Sequence, residues 1–312
     1  MIFYSFPKIC QFHEISSYVK ENNLLGDNAN VTYHAKVKLH GTNCAIVKSN
    51  GVVYAQSRTK VITPKDDNFG FAKFVETLDL SKVQDNIVIY GEWAGKTIQN
   101  NVACSQVDKF FAVFAIKDLS KEDSFIVNPI QIGTMLNTVK GIYIIPWHTS
   151  DQVNFNNESN IDEFVNRTNY HVEIIEKCDP FVKQYFNISG VGEGLVYYPT
   201  FHTGLNNFVN LGFKAKGKEH SVIAAKPAQK SIVVESNSFV DMFVTENRLN
   251  QGANEINKNG FETKNIGLFI KWISDDVQKE SATTLKDNNM EWKDISKLVG
   301  DKARKWYLDK SK

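Results

Sequence analysis

The chain has 312 residues, 42% of them apolar, with 36 lysines and arginines against 35 aspartates and glutamates. That length exceeds the usual one-domain range of about 100–200 residues, and the composition is that of a globular protein with a full core. A net charge of +1 excludes a generally cationic binder, so any contact with nucleic acid must come from a local patch. No apolar run approaches the ~20 residues that cross a bilayer, and the N-terminal MIFYSFPKICQF lacks the pattern of a secretory leader. Cys10, Cys44, Cys104 and Cys178 are scattered without a C-x-x-C pair. This disfavours a zinc site or disulfide framework and fits a reducing, cytoplasmic compartment.

The first element is a strand over 31–40. Val31, Tyr33, Ala35 and Val37 alternate with Thr32, His34, Lys36, Lys38 and His40, so one face is apolar and the other is dense in cations. Strands over Cys44–Lys48 and Val52–Ser57 meet across Ser49-Asn50-Gly51, a hairpin signal because Asn and Gly tolerate positive φ. Further strands are expected at Ile87–Glu92, Phe110–Lys117, Gly194–Tyr198 and Phe208–Lys216, with helices at 128–139 and 161–168. Phe114 is expected on one strand face with Phe110, Ala112 and Ile116.

The pattern turns helical after Lys226-Pro227-Ala228-Gln229-Lys230. Phe239, Met242, Phe243 and Leu249 recur at helical spacing, as do Leu268, Phe269, Trp272 and Ile273. A last helix carries Trp292, Ile295, Leu298 and Val299 and is expected to stop at Gly300. The fold class is therefore mostly antiparallel α+β for 1–228, followed by a small helical domain over 229–312.

The chemistry-bearing residues lie in a fixed order. Lys38-Leu39-His40-Gly41-Thr42-Asn43 places an amine at a strand end before a glycine turn. Downstream come Arg58, Glu92 after a hydrophobic strand, Phe111 to Phe114, Glu193-Gly194-Leu195-Val196, and Lys214-Ala215-Lys216. Taken singly, each has an ordinary explanation: solvated strand-end charges, a loop arginine, a core phenylalanine, a polar outer face. Together, and with Pro64-x-x-Asp67-x-Phe69-Gly70, Ile98-Gln99-x-Asn101-Val102 and Val244-Thr245-Glu246-Asn247-Arg248-Leu249-Asn250, they resemble the covalent nucleotidyltransferases. The K-x-H-G-T-N form is similar to that of the RNA ligase 2 family, ATP-dependent enzymes that seal nicks in double-stranded RNA.

The resemblance implies a nucleotidyltransferase domain of ATP-grasp-like ligase type. It implies that Lys38 attacks the α-phosphate of ATP to give a lysyl-adenylate, that AMP passes to a 5′-phosphate, and that a 3′-hydroxyl then closes the break. Lys214 and Lys216 would clamp the triphosphate oxygens, and Glu92 would accept from the ribose hydroxyls. Phe114 would stack on adenine, although the acid that often follows it in the family is Ala115 here. Arg58 would contact the nucleotide. Glu193 would serve Lys38 or a Mg2+ ion. Asn43, Gln99 and Arg248 are assigned to positioning the substrate, and His40 reads equally as an orienter or as an acid or base.

The physical requirement is a free amine. An ordinary lysine is almost wholly protonated at neutral pH, so a cation-crowded, buried site is expected to lower the pKa of Lys38. The basic run from Lys214 to Lys230 and the cluster Lys302, Arg304, Lys305 and Trp306 could follow an RNA backbone. A capping-type guanylyltransferase or a DNA ligase shares the same core, but each normally adds a barrel where this chain turns helical. An inactive RNA-binding relative is the rival from another class. The expected partners are ATP and RNA, with no membrane, and the expected state is monomeric.

Overall fold

The computed structural model describes residues 1–21, 24–26, 29–121, 125–200, 211–217, 236–257, 261–287 and 290–311. They fall into two compact units, Met1–Gly217 and Lys218–Lys312. The expected boundary at 228 lies outside the described residues, as do 218–230 of the basic run.

The first unit opens with α1 (Phe12–Glu21), followed by β1 (Asn30–Lys38), β2 (Thr42–Ser49), β3 (Val52–Ser57) and the short β4 (Val61–Ile62). Then come α2 (Phe71–Glu76), β5 (Ile87–Ala94), β6 (Phe110–Asp118), β7 (Phe125–Ile126), α3 (Pro129–Met135), β8 (Ile142–Ile144) and β9 (Trp147–Asn154). Helices α4 (Glu158–Lys177) and α5 (Pro180–Phe186) precede β10 (Gly194–Thr200) and β11 (Phe213–Lys216). The α+β class and the antiparallel character hold; among the described strands, β8 runs parallel to its neighbour, β6, and the other pairs are antiparallel. Asn50 and Gly51 take the positive φ angles, 52° and 73°, that the β2–β3 turn demands.

Among the described residues the strands form two sheets, one ordered β11-β10-β1-β9 and one ordered β4-β3-β2-β5-β6-β7 with β8 also on β6. The alternation of β1 has its expected result. Val31, Tyr33, Ala35 and Val37 bury against Ile15 of α1 and Phe164 and Ile175 of α4, which leaves Lys36 and Lys38 on the opposite face. Apolar burial of this kind, at roughly 25 cal/mol per Å2, is what fixes the register of the strand and hence the placement of its cations.

Three expectations need correction. The strand expected from Phe208 is confined to Phe213–Lys216; Leu211 and Gly212 are outside it, and 208–210 lie outside the described residues. Ile116 is not on the face of Phe114, because β6 slips its register against β5 between Tyr90 and Gly91. Tyr90 faces Ala115 and Gly91 faces Val113, so Phe114 is the extra residue of a β-bulge, beyond which the faces exchange. Ile116 joins Phe111 and Val113 in the core under α2 and α3, while Phe110 and Ala112 pack on the other side.

Among the described residues, the second unit has α6 (Ser236–Phe243), α7 (Glu246–Ile256), α8 (Ile266–Asp287) and α9 (Trp292–Lys310). Its core joins Phe239, Phe243, Leu249, Phe269, Ile273 and Tyr307. The third correction falls here: α9 runs through Gly300 to Lys310. Val299, Ala303 and Tyr307 continue the apolar stripe at spacing four, and their burial outweighs the ~1 kcal/mol that glycine costs inside a helix. No helix among the described residues is long and apolar enough to cross a membrane. All four cysteines are free.

Candidate active site

The site grows from one cross-strand row. β1 and β10 pair so that Lys38 faces Gly194, and β10 and β11 pair so that Gly194 faces Lys216. Gly194 adopts φ +147°, and a Cβ there would sit 2.1 Å from the Ala215 carbonyl oxygen. Only glycine allows this approach. It brings Glu193, one residue ahead of the strand and 2% exposed, between the two lysines. The Lys38 ammonium donates to Glu193 Oε2 at 2.7 Å, and Lys216 Nζ lies 2.9 Å from Oε1. His40 Nδ1 is 3.2 Å from the same Oε2, and the Glu193 carbonyl accepts from the Gly217 amide at 3.0 Å.

Burial opposes ionisation of Glu193, but Lys216, Lys38 and His40 outweigh it and hold the carboxyl well below its ordinary range. The effect on Lys38 corrects the expectation of a cation-crowded, deprotonated amine. Burial does push that pKa down, and Arg58 adds to it, yet the carboxylates Glu193 and Glu92 prevail and raise it above the usual lysine value. In this arrangement Lys38 is favoured as an ammonium.

The turn after Lys38 is clamped. Gly41 approaches β5 so closely that a Cβ would lie 2.4 Å from the Trp93 carbonyl oxygen. Its amide donates to Glu92 Oε1 at 3.0 Å, and its carbonyl accepts from Gln99 Nε2 at 3.3 Å. Burial pushes the Glu92 carboxyl up; Lys38 pulls against that, while the charge of Glu193 reinforces it. Asn43 is the cross-strand neighbour of Glu92. Arg58 is exposed just past β3, and its charge reaches Lys38.

The remaining expected residues divide. Lys214 lies two positions before Lys216 on β11, opposite Val196. Phe114 is partly exposed, with its ring edge-on to Phe6 at a centroid distance of 4.9 Å. Arg248 stands apart. It lies in the second unit, is 0% exposed, and donates to the Phe243 carbonyl at 2.6 Å with Asp276 2.9 Å from its Nε. A grip on a strand needs an accessible guanidinium, so the structure corrects this assignment: Arg248 braces α7 against α8 inside its own unit. The motif around Asp67 also has a local purpose, since the Asp67 carboxylate accepts from the amides of Ala72 and Lys73 at the start of α2.

Sequence reasoning missed Lys36. It was visible in the polar row of β1, but nothing local marked it as buried. Trp147 of β9 and Tyr198 of β10 close over it, with its Nζ 4.9 Å and 5.4 Å from their ring centroids. No group of three or more potential metal-ligating side chains occurs among the described residues. Both oxygens of Glu193 are already held by cations, so the protein's own donors do not fit a metal here.

Two partly exposed lysines thus flank the buried carboxylate of Glu193 in one sheet, and the charge of Glu92 in the other sheet acts on Lys38. Residues 31–216, more than half of the chain, match the family model described as RNA ligase. The chain belongs to the RNA ligase family. It is similar to structures of Naegleria gruberi RNA ligase. One, a lysine-to-methionine variant with AMP and Mn, matches at 18% identity and a TM-score of 0.46 over 69% of this chain and 56% of that one. A lysine-to-alanine variant with ATP and Mn matches at 17% identity and a TM-score of 0.45, over 69% of this chain and 57% of that one. An arginine-to-alanine variant with ATP and Mn matches at 19% and 0.46, over 70% and 57%. The chain thus spans little more than half the length of these structures.

Proposed function

We propose that the chain is an ATP-dependent RNA ligase of the RNA ligase 2 branch, joining 3′-hydroxyl and 5′-phosphate ends at nicks in duplex RNA. The observation that carries this reading is the row Lys38–Glu193–Lys216, in which one carboxylate lies within hydrogen-bond reach of both amines, the proposed nucleophile and the proposed phosphate-binding cation.

In the first step Lys38 Nζ forms a bond to the α-phosphorus of ATP and pyrophosphate leaves. Triphosphate oxygens compete with Glu193 for Lys216, and as that pair loosens Glu193 becomes the better base. It is 2.7 Å from the amine whose proton must go. Lys214 and Lys216 then offset the charge that builds on the departing pyrophosphate. Glu92 receives the ribose hydroxyls, Arg58 meets the nucleotide, and Phe114 stacks on the base. His40, Asn43 and Gln99 hold the reacting groups in place around Gly41. AMP passes to the RNA 5′-phosphate, and the 3′-hydroxyl displaces it. Mg2+ would arrive with ATP, held mainly by phosphate oxygens and water. Residues 1–228 are proposed as the adenylyltransferase domain and 229–312 as an RNA-engaging domain, in a cytoplasmic monomer.

The test uses ATP labelled at the α-phosphate, alongside GTP, followed by nicked duplexes carrying RNA or DNA on each side of the break. Label on Lys38 from ATP and sealing of nicked RNA are expected. Label from GTP alone would indicate a capping-type activity, sealing of DNA alone a DNA ligase, and tight RNA binding without any adduct an inactive relative.

A further inference from the structure

The polar face of β1 presents a second amine that the reaction above does not use. Lys36 lies two residues before Lys38 and is 1% exposed. Its Nζ donates to the Phe114 carbonyl at 2.7 Å, from one sheet across to the other. The rings of Trp147 and Tyr198 flank the same nitrogen, and among the described residues no carboxylate is paired with it. Burial alone brings its pKa down to about 7. An amine held this way is costly to the fold.

The acceptor explains where that cost goes. Phe114 is the extra residue of the β6 bulge, and an extra residue is the one the sheet ladder leaves unpaired. A part-buried carbonyl in that position is served by a donor from elsewhere. Lys36 supplies it, and the two rings on β9 and β10 hold Lys36 in turn. We propose that Lys36 is a positioning residue for the nucleobase: by capping the bulge it fixes the direction in which the Phe114 ring is offered for stacking. This rests on the ligase reading above and adds a residue that acts on the base through Phe114.

The experiment measures the rate of self-labelling by ATP against ATP concentration for the wild type, Lys36→Met, Lys36→Gln, Lys36→Arg, Phe114→Ala and the double variant Lys36→Met/Phe114→Ala. Both Lys36→Met and Lys36→Gln lose the reach or the donor, so either one that melts as a folded protein serves. The half-saturating ATP concentration is expected to rise about tenfold in Lys36→Met and in Phe114→Ala. The saturating rate should change by less than about threefold, because the base lies away from the reacting phosphorus. Lys36→Arg, which keeps a donor, should recover most of the loss. The double variant should be no worse than Phe114→Ala alone, since both act through one ring. An unchanged ATP requirement in the folded Lys36 variants, or losses that add in the double variant, would overturn the assignment while leaving the ligase reading intact. A wild-type chain that takes no label from ATP would overturn both.

Discussion

Lys38 and Glu193 are 155 residues apart in the chain and meet at 2.7 Å. Their contact exists because β1 and β10 pair with Lys38 opposite Gly194, and it contributes to raising the pKa of Lys38 and lowering that of Glu193. A carboxylate as buried as Glu193 costs the fold much when its cations go, and the cations cost it when the carboxylate goes.

Removal of the carboxylate charge is therefore the most informative single change to the fold. Glu193→Gln leaves Lys38 and Lys216 without their counter-charge and is expected to lower stability by about 3–5 kcal/mol. Self-labelling should be lost with it. Urea denaturation checks the first effect and ATP labelling the second. The same pair makes stability acid-sensitive. The folded carboxyl sits below its ordinary value of 4.5, so its contribution is full above that pH and falls away as pH drops toward the depressed value.

Lys38→Ala should reduce label transfer from ATP to below about a thousandth of wild type, because no other group replaces the nucleophile. Glu193 keeps Lys216 and His40 in this variant, so the melting temperature should move far less than in Glu193→Gln. Labelling persisting at another residue would refute the role of Lys38.

Lys36 gives stability a pH dependence of the same sense in a higher pH window. Its folded pKa lies near 7, against an ordinary 10.5. Between these values the unfolded chain holds a proton that the folded chain lacks. Stability thus climbs with pH by up to about 1.4 kcal/mol per unit. Lys36→Met should flatten that climb. Denaturation profiles for the two proteins at pH 7, 8 and 9 test it, and parallel profiles would count against it.

Two glycines with positive φ should behave differently. Gly194→Ala drives a Cβ into the Ala215 carbonyl and is expected to cost on the order of 3 kcal/mol, with loss of labelling as Glu193 shifts. Gly51→Ala, at φ +73° with open space around it, should cost only about 1–2 kcal/mol and leave labelling unchanged.

A chain ending at Gly217 keeps both sheets and every residue of the Lys38–Glu193–Lys216 row. It should still label itself with ATP but fail to seal nicked RNA carrying a 5′-phosphate. Normal sealing by the short chain would remove the proposed role of the helical unit.

Much of this was legible from residues alone, and the exceptions share a cause. β1 declared itself because its apolar and polar residues alternate without a break. β9 did not, since WHTSDQVN has only Val153 buried and owes its strand form to pairing with β1. The bulge at Phe114 is a relation between two strands, and neither strand spells it out. Gly300 looked like a helix end by local preference, whereas packing of Ala303 and Tyr307 carried the helix on. Lys36 and Arg248 look like surface cations in the sequence and become interior ones only when neighbouring elements close over them.

The glycine three residues after Lys38 has a mechanical consequence. Gly41 is wedged against β5, tied by its amide to Glu92 and by its carbonyl to Gln99. The turn between β1 and β2 is thereby tied to its neighbours through backbone atoms as well as side chains. Under the proposed reaction, the long side chains around this turn can change partners without displacing it.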